Sequence, residues 1–376
     1  MAVLETHRKK LLFILFFLLA ACDVIHPLLY NLPDGNDYKR WPAKIIPAST
    51  NPITLTRDTS MNLGHWITTD DFSIYSNKIT LNELASSYGT TSLLIIRNDT
   101  LVYEHYTKGY SENTIMPSFS IAKSFVSALV GISIDEGRIQ SIDQSICDFL
   151  PELKKNGLEE VKISNLLNQT SGIAFSRGLN PGSDRSQNYY GRDLRADILE
   201  IKPEEKPGLH YRYSDTNTQL LGMILERANH ISLSDLLYNK LWEPMGMQYD
   251  ASWSIDNNKS TAIEKAFCGI NARSIDFAKL GQLYLHEGYL NGKQILPVQW
   301  VKSTCIGDTI DGSKRTYKNQ WGLGPNGYGS FYAVGLYGQF IYVYPQKNVV
   351  IVRTAKLNLN KNTLWKYAFL QIADQL

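Results

Sequence analysis

The sequence has no excess of charge of either sign, and it lacks the short motifs that mark metal or phosphate chemistry. Its 38 lysines and arginines nearly balance 36 aspartates and glutamates, which leaves a formal net charge of +2 and no basic stripe. Nucleic-acid binding therefore has no electrostatic footprint here. The seven histidines show no His-Glu-x-x-His spacing, and no phosphate-cradling glycine loop occurs. We therefore expect no nucleic-acid partner, no metal and no other cofactor.

Cysteine is also scarce, with four residues in the whole chain. No Cys-x-x-Cys pair is present, so zinc binding and thiol redox chemistry are not indicated. Cys22 lies near the N-terminus, and the other three are Cys147, Cys268 and Cys305. These three can form at most one disulfide among themselves.

The N-terminal residues predict a targeting signal that is not part of the fold. Residues 8–10 are basic, and the apolar run 11–21 that follows is too short for a comfortable membrane span. The run ends in Leu19-Ala20-Ala21-Cys22, which resembles the bacterial lipobox, where the cysteine is lipidated and becomes the first residue of the mature protein. A plain signal peptide or anchor is the alternative. The resemblance implies a signal peptide at 1–21 and a lipid anchor on Cys22, with the domain on the periplasmic side of a membrane in the bacterial cell envelope.

The chain after the anchor divides into a lead-in and one large domain. Residues 22–75 are rich in Pro, Asn, Asp and Thr with little periodicity, which predicts a tether and an irregular lead-in before a domain at 76–376. Two β-rich runs, 92–96 and 101–106, flank Asn98-Asp99, and this pattern predicts a β-hairpin.

The rest of the domain is predicted to be mainly helical from about 140 to 300 and to return to strand at 339–344 and 349–353. The predicted helices are 120–136, 164–168, 216–228, 232–241, 275–285, 297–300 and 363–373. Strands at both ends with helices between them predict an α/β (α+β) fold, in which helices flank one antiparallel sheet and a mainly helical insertion is added.

Ser120 and Lys123 form a Ser-x-x-Lys sequence at the start of a predicted helix. Positions three apart share a helix face, so the hydroxyl and the amine can meet. A serine hydroxyl is a weak nucleophile without a base, and lysine is a base only if desolvation or a positive neighbour lowers its pKa. The tetrapeptide alone is common enough to occur by chance. Residues 120–136 are apolar on most sides, however, and catalysis would explain a lysine in the first turn of such a buried helix.

Two later segments offer partners for this pair. Tyr213 lies just before a predicted helix, where its phenol can point into a cleft, although a core tyrosine is the alternative in a chain with 22 tyrosines. Residues 331–340 contain Gly335 and Gly338, and glycines in a strand let a ligand or another backbone come close. The unpaired N–H groups of an edge strand would suit an oxyanion. A bulge with packing glycines is the alternative.

Taken in order, three segments resemble serine hydrolases related to class C β-lactamases and DD-peptidases. The segments are Ser120-x-x-Lys123, Tyr213-Ser214-Asp215 and Ala333-Val334-Gly335. The end segment, with Gly338-Gln339 and Tyr344-Pro345, is closest to the branch that contains 6-aminohexanoate-dimer hydrolase and related esterases. The resemblance covers about residues 85–375.

This resemblance implies a β-lactamase/transpeptidase-like fold and acyl-enzyme chemistry on a carbonyl carbon. Ser120 would be the nucleophile, with Lys123 and Tyr213 as its acid and base, and which of the two is the base stays open. The backbone N–H groups of Ser120 and Leu336 would form the oxyanion hole.

The third motif departs from the family pattern. Ala333 removes the cation, and Val334 the hydroxyl, that would hold a substrate carboxylate. Asp215 stands where an amide donor is common. These changes disfavour a penicillin-like anion and are compatible with neutral esters or amides, or with a substrate amine near Asp215. The residues expected at the substrate are Asp215, Gly335 and Tyr337, with Tyr189 and Tyr190 as further candidates by position.

Three functions follow from these patterns. The preferred one is a lipid-anchored serine hydrolase that acts on a small-molecule ester or amide, because all three reactive side chains are kept while the third motif is altered. A penicillin-binding DD-peptidase or β-lactamase is the first alternative. A non-catalytic receptor or scaffold on the same fold is the second, and retention of the reactive side chains argues against it.

Overall fold

The computed structural model of the protein describes residues 33–71, 77–178, 180, 182–325, 328–356 and 362–376. The predicted signal peptide and Cys22 lie outside the described residues.

The strands are, in chain order, β1 Ala43–Ile46, β2 Thr56–Arg57, β3 Thr68–Asp70, β4 Lys78–Thr80, β5 Thr90–Arg97, β6 Thr100–Tyr106, β7 Met116–Pro117, β8 Ala251–Ser254, β9 Ile270–Ala272, β10 Tyr289–Leu290, β11 Lys293–Gln294, β12 Tyr317–Lys318, β13 Trp321–Leu323, β14 Phe331–Gly335, β15 Gln339–Tyr344 and β16 Val349–Ala355.

The helices are α1 Leu63–Trp66, α2 Leu81–Ala85, α3 Ala122–Asp135, α4 Ile163–Leu167, α5 Asp184–Tyr190, α6 Leu194–Leu199, α7 Asp215–Asn229, α8 Leu233–Leu237, α9 Ser274–Leu285, α10 Val298–Thr304 and α11 Asn362–Asp374. Short 3-10 turns occupy Asp37–Lys39, Phe119–Ile121, Ile146–Asp148, Pro151–Asn156, Ile310–Gly312, Leu336–Gly338 and Pro345–Lys347.

An eight-stranded sheet forms the centre of the domain, in the order β12-β13-β14-β15-β16-β5-β6-β2. Neighbouring strands are antiparallel except for the short β2, which runs parallel to β6. The C-terminal strand β16 pairs with the N-terminal β5, so both ends of the domain meet in one sheet. The predicted fold, an antiparallel sheet flanked by helices, is confirmed.

The sheet is buried on both faces, and the alternation of side chains assigns each residue to one of them. Leu94 and Ile96 join the large core that includes α3, α7 and α9. Leu93 and Ile95 face the opposite way, into a smaller core with Trp365 of α11. Both faces of β5 are therefore apolar, which is why its sequence is a continuous hydrophobic run.

The predicted hairpin is confirmed as β5 and β6. The two turn residues Asn98 and Asp99 both have positive φ, at 47° and 59°. A two-residue hairpin turn of this kind matches the twist of the flanking strands, and Asn and Asp tolerate the left-handed region better than most residues.

The predicted helices are found, with shifted ends. The helix predicted at 297–300 is longer in the structure, where α10 continues to Thr304. The helix predicted at 232–241 divides into α8 and a π-helical turn at Tyr238–Trp242. The helix predicted from Ser120 begins as α3 only at Ala122, because Phe119–Ile121 forms a 3-10 turn before it.

The lead-in differs from the interpretation of the sequence. From Pro33 onward it contributes β1 to a second sheet, in the order β1-β8-β9-β7, and β2 to the central one. Ala43 of β1 pairs with Ser254 of β8, more than 200 positions away. Strands of two to four residues carry no periodicity of their own, so only these distant partners define them.

The described residues contain no helix that is both long and apolar enough to cross a membrane. Cys147, Cys268 and Cys305 are all free thiols, so the one disulfide that their number permits does not form.

Candidate active site

Ser120 lies in the tight turn that leads into α3. The residue before it, Phe119, has φ of +45°, a left-handed conformation that is strained for a bulky side chain and costs on the order of 1–3 kcal/mol. Ser118 fixes the turn, since its N–H donates to the carbonyl of Ile270 at 2.7 Å and its hydroxyl lies 3.3 Å from the carbonyl oxygen of Cys268. The turn is thus tied to β9, and Ser120 remains partly exposed.

Lys123 is buried in the first turn of α3, with 1% of its surface exposed. Its ammonium donates to Asp215 Oδ1 at 2.7 Å, to the carbonyl oxygen of Phe267 at 3.0 Å and to Ser120 Oγ at 3.3 Å. The predicted contact between the serine hydroxyl and the lysine amine is therefore present in the structure.

The charge state of Lys123 follows from its surroundings. Burial by itself lowers the pKa of this amine, but the negative charge of Asp215, helped by the nearby Tyr213, outweighs burial and raises the pKa above its usual range. Lys123 is therefore an ammonium at neutral pH. In this state it can orient Ser120 Oγ and stabilise negative charge, but it cannot accept a proton.

Tyr213 lies in the loop before α7 and shares the cleft with Ser120 and Lys123. The centroid of its ring is 5.1 Å from Lys123 Nζ. The ring of Tyr317 contacts it edge-on, with 6.2 Å between centroids. The structure thus brings together the three reactive side chains that the sequence predicts.

A buried amide network holds the Tyr213 loop, and the sequence analysis missed it. The Gln169 side-chain oxygen accepts hydrogen bonds from Ser214 N and Asn217 Nδ2, both at 2.8 Å. The Gln169 backbone carbonyl accepts from Arg212 N at 2.7 Å, and Gln320 contacts the Gln169 amide at 3.2 Å. Gln169 lies in Leu-Asn-Gln-Thr-Ser-Gly, directly after a predicted helix, where polar residues are common, so no local signal distinguished it.

The third segment ends β14 beside the turn that carries Ser120. β14 is an inner strand of the sheet and not the edge strand that was expected, but its pairing with β13 stops at Tyr332. Residues 333–335 therefore have a strand partner only on the β15 side. A Cβ on Gly335 would lie 2.4 Å from the carbonyl oxygen of Ser118, so only glycine permits this approach.

The residue after this glycine, Leu336, lines both cavities that contain Ser120. Arg353 of β16 braces the turn at Leu336–Gly338, since its guanidinium donates to the carbonyl oxygens of Tyr337 at 3.2 Å and Gly338 at 2.6 Å. This buried arginine has no sequence signal, because β16 is otherwise a plain apolar strand.

Two predicted substrate residues have partners within the protein. Asp215 forms the ion pair with Lys123, so its carboxylate is engaged before any substrate arrives. Tyr337 is 8% exposed, packs edge-on against Phe119 at 5.7 Å and donates its hydroxyl to the carbonyl of Pro33. The structure thus places Tyr337 behind the turn that carries Ser120 and outside the lining of both cavities.

Two cavities flank Ser120. The larger is an open cleft of about 640 Å³, and Tyr213, Gly335 and Leu336 are among its lining residues. The smaller, of about 40 Å³, is aromatic, and Tyr189 and Tyr190 line it as the sequence positions suggested. Its wall includes Pro33 from the lead-in. Within the described ranges, no three His, Cys, Asp or Glu side chains converge as metal ligands would.

The chain is similar to known hydrolases in sequence and in fold. Residues 82–363 match the family described as Beta-lactamase. A 6-aminohexanoate-dimer hydrolase from Paenarthrobacter ureafaciens is 24% identical over 286 residues, which covers 70% of this chain and 72% of that protein.

Solved structures show the same fold. A Bacillus anthracis protein provisionally assigned as a 6-aminohexanoate-dimer hydrolase superposes with a TM-score of 0.79 at 23% identity, and the match covers 89% of this chain and 91% of that one. A class C β-lactamase mutant superposes with a TM-score of 0.60 at 19% identity, over 79% of this chain and 95% of that one. The resemblance indicated by the three motifs is thereby confirmed.

Proposed function

The chain belongs to the β-lactamase family, and on that premise we propose that it is a serine hydrolase that cleaves an ester or an amide through an acyl-enzyme on Ser120. One observation carries the proposal. Ser120 Oγ lies 3.3 Å from a buried ammonium, that of Lys123, at the edge of an open cleft that also holds Tyr213.

In the proposed reaction Ser120 Oγ attacks the substrate carbonyl carbon, and its proton passes to the phenolate oxygen of Tyr213, whose negative charge the Lys123 ammonium stabilises. The backbone N–H groups of Ser120 and Leu336 bind the tetrahedral oxyanion. Tyr213 then donates this proton to the leaving alcohol or amine as the carbonyl–leaving-group bond breaks, which restores the phenolate. Water then attacks the acyl-enzyme, and the carboxylic acid is released with Ser120 restored.

An active-site probe tests this function. The chain from residue 23 onward is incubated with a fluorophosphonate, and mass spectrometry locates the label. We expect one label per chain on Ser120, none in Ser120→Ala, and equal melting temperatures for the two proteins. A folded wild-type protein that stays unlabelled, and that turns over no ester, amide or β-lactam in a substrate panel, would contradict the proposal. Fluorescent penicillin belongs in the panel, because acylation of Ser120 would favour the penicillin-binding alternative.

We also propose that Cys22 carries the lipid that anchors this domain to a membrane of the bacterial cell envelope, on the periplasmic side. The sequence Leu19-Ala20-Ala21-Cys22 after an apolar run supports it. Cys22→Ser should move the protein from the membrane fraction to the soluble fraction and abolish labelling with a fatty-acid analogue. Membrane association that survives the substitution would indicate a plain anchor instead.

A further inference from the structure

The large cleft beside Ser120 is lined by positive charge. Five of its lining residues are basic: Lys123, Arg177, Arg185, Lys314 and Lys366. None of the described residues that line it is an aspartate or a glutamate. The chain as a whole is almost neutral, so this concentration of one sign belongs to the cleft and not to the composition.

Among the described residues, four of these cations have no carboxylate partner. Asp215 neutralises Lys123 at 2.7 Å. In the part of the chain that the structure describes, no ion pair involves the other four, which are Arg177, Arg185, Lys314 and Lys366. An exposed cation elsewhere on the surface loses little stabilisation when it has no partner. Several cations in one concave site, however, repel each other and attract an anion.

Aromatic rings hold three of the four in place. Arg177 lies 5.8 Å from the centroid of Tyr213, which is the ring that also contacts Lys123. Lys314 lies 5.5 Å from the ring of Tyr211. A cation over an aromatic face keeps its N–H donors free, so these side chains are positioned and still available to bind a ligand.

Lys366 is the most informative of the set. It lies on α11, is half-buried, and its ammonium is 4.6 Å from the centroid of Tyr332 on β14. Burial lowers the pKa of this amine, as expected for a charge that loses water without gaining a carboxylate. An anion in the cleft would offset that loss.

The position of Lys366 also bears on the altered third motif. Val334 and Lys366 line the same cleft. The third motif has no cation at Ala333, but the C-terminal helix contributes one to the lining of the cleft, from a position that no short motif would reveal.

We propose that this cleft is an anion subsite, and that the preferred substrate is an ester or amide whose acyl chain carries a carboxylate bound by Arg177, Arg185, Lys314 and Lys366. The proposal rests on the serine-hydrolase function and adds the substrate class. It differs from the expectation of neutral substrates drawn from Ala333 and Val334.

A matched pair of esters tests the subsite. Mono-p-nitrophenyl glutarate and p-nitrophenyl valerate have acyl chains of the same length, and only the first ends in a carboxylate. We expect kcat/KM for the glutarate ester to exceed that for the valerate ester by about tenfold at low salt. Because the cations are reachable by solvent, this ratio should fall toward one at about 0.5 M NaCl.

Removal of two of the positive charges tests whether these side chains cause the preference for the glutarate ester. In the double variant Arg177→Gln, Lys366→Gln we expect the glutarate-to-valerate ratio of kcat/KM to fall about tenfold. Lys293→Gln is the matched control, because Lys293 is an exposed lysine on the β10–β11 hairpin and does not line the cleft. It should leave the ratio unchanged. Melting temperatures check that the variants are folded.

Binding to an inactive variant separates the subsite from the reaction. Calorimetry with Ser120→Ala gives Kd for each intact ester, and we expect tighter binding of the glutarate ester. Equal Kd values, or a kcat/KM ratio that the double variant leaves unchanged, would overturn the subsite while the hydrolase function stands. Preferential binding by Ser120→Ala without any turnover by the wild-type protein would overturn the function and leave the subsite.

Discussion

At the scale of single residues, Asp215 determines the charge state of Lys123. Its carboxylate holds the Lys123 ammonium at 2.7 Å and is itself only 9% exposed. An amide at this position would accept the same hydrogen bond without adding negative charge. The aspartate therefore favours a charged Lys123 in the protein without substrate. A substrate amine would have to compete with Lys123 for the Asp215 carboxylate.

Replacement of this carboxylate tests which form of Lys123 is needed. In Asp215→Asn the burial of Lys123 is no longer opposed, so its pKa should fall. With a charged lysine in the mechanism, we expect the alkaline limb of the kcat/KM profile for the neutral valerate ester to move to lower pH. The measurement is that profile from pH 6 to 11.

The control is Asp135→Asn, an exposed aspartate at the far end of α3, the helix that carries Lys123, and it should leave the profile unchanged. If Asp215→Asn instead moves an acidic limb to lower pH, then neutral Lys123 is the working form and the lysine is the base.

At the scale of secondary-structure elements, the end of β14 packs against the turn that carries Ser120. Gly335 packs so closely on the carbonyl of Ser118 that a methyl group would clash with backbone. We expect Gly335→Ala to displace the Ser120 turn and lower kcat/KM by at least about 100-fold, since small misplacements of reacting groups have effects of this size.

The matched control is Gly182→Ala, because a Cβ there has no neighbour within 4 Å. It should keep full activity. Normal activity in a folded Gly335→Ala protein would mean that the contact with Ser118 does not position the nucleophile.

Helix α9 begins with a buried acid that makes stability depend on pH. Asp276 is fully buried, and its Oδ1 accepts a hydrogen bond from Gln248 N at 2.7 Å, while no described residue donates a well-formed hydrogen bond to Oδ2. Burial raises the pKa of this carboxyl from 3.8 to about 6. Between these values the folded state binds more protons than the unfolded chain, so this group lowers stability as pH rises from about 4 to about 6.

We therefore expect Asp276→Asn to gain stability relative to wild type over that pH range and to keep the gain at higher pH. The pKa shift of Asp276 corresponds to a gain of at most about 3 kcal/mol in the free energy of unfolding. Urea unfolding at pH 4, 5, 6 and 7 gives the free energy of unfolding of each protein. The difference between the two proteins removes the contribution of the other carboxylates, which they share. A difference that stays constant from pH 4 to 7 would show that Asp276 does not titrate in this range.

At the scale of the whole molecule, the lead-in is part of the wall of the small cavity beside Ser120. Pro33 lines the small cavity and accepts a hydrogen bond from Tyr337. Asp37 accepts one from the Tyr189 hydroxyl at 3.0 Å, and the ring of Trp41 lies 4.4 Å from the buried ammonium of Lys265. A segment that the sequence assigns to a tether thus contacts three separate parts of the domain.

Truncation should expose this contribution. A chain that starts at residue 33 should keep the melting temperature and the esterase activity of the longer protein. A chain that starts at residue 42 loses these contacts, and we expect its melting temperature to fall by roughly 5 °C or more and its kcat/KM to fall with it. Equal properties of the two truncated proteins would show that residues 33–41 only lie against the domain.

The sequence by itself determined the parts of this protein that depend on local pattern. The hairpin at Asn98-Asp99, the buried helix after Ser120 and the paired C-terminal strands follow from periodicity and turn chemistry within a few residues. The order of the three motifs was sufficient to predict the family. It was also sufficient to predict that Ser120, Lys123 and Tyr213 lie together, because the order of motifs can be read directly from the chain.

Only the tertiary structure decided what depends on distant partners. The ion pair of Lys123 with Asp215 spans 92 positions, and neither residue indicates it alone. Three other features depend on segments from separate regions of the sequence. They are the pairing of β1, the contact of Gly335 with Ser118, and the cationic cleft. The physical reason is that charge and burial act through space, so the state of a side chain is set by its neighbours in the fold and not by its neighbours in the chain.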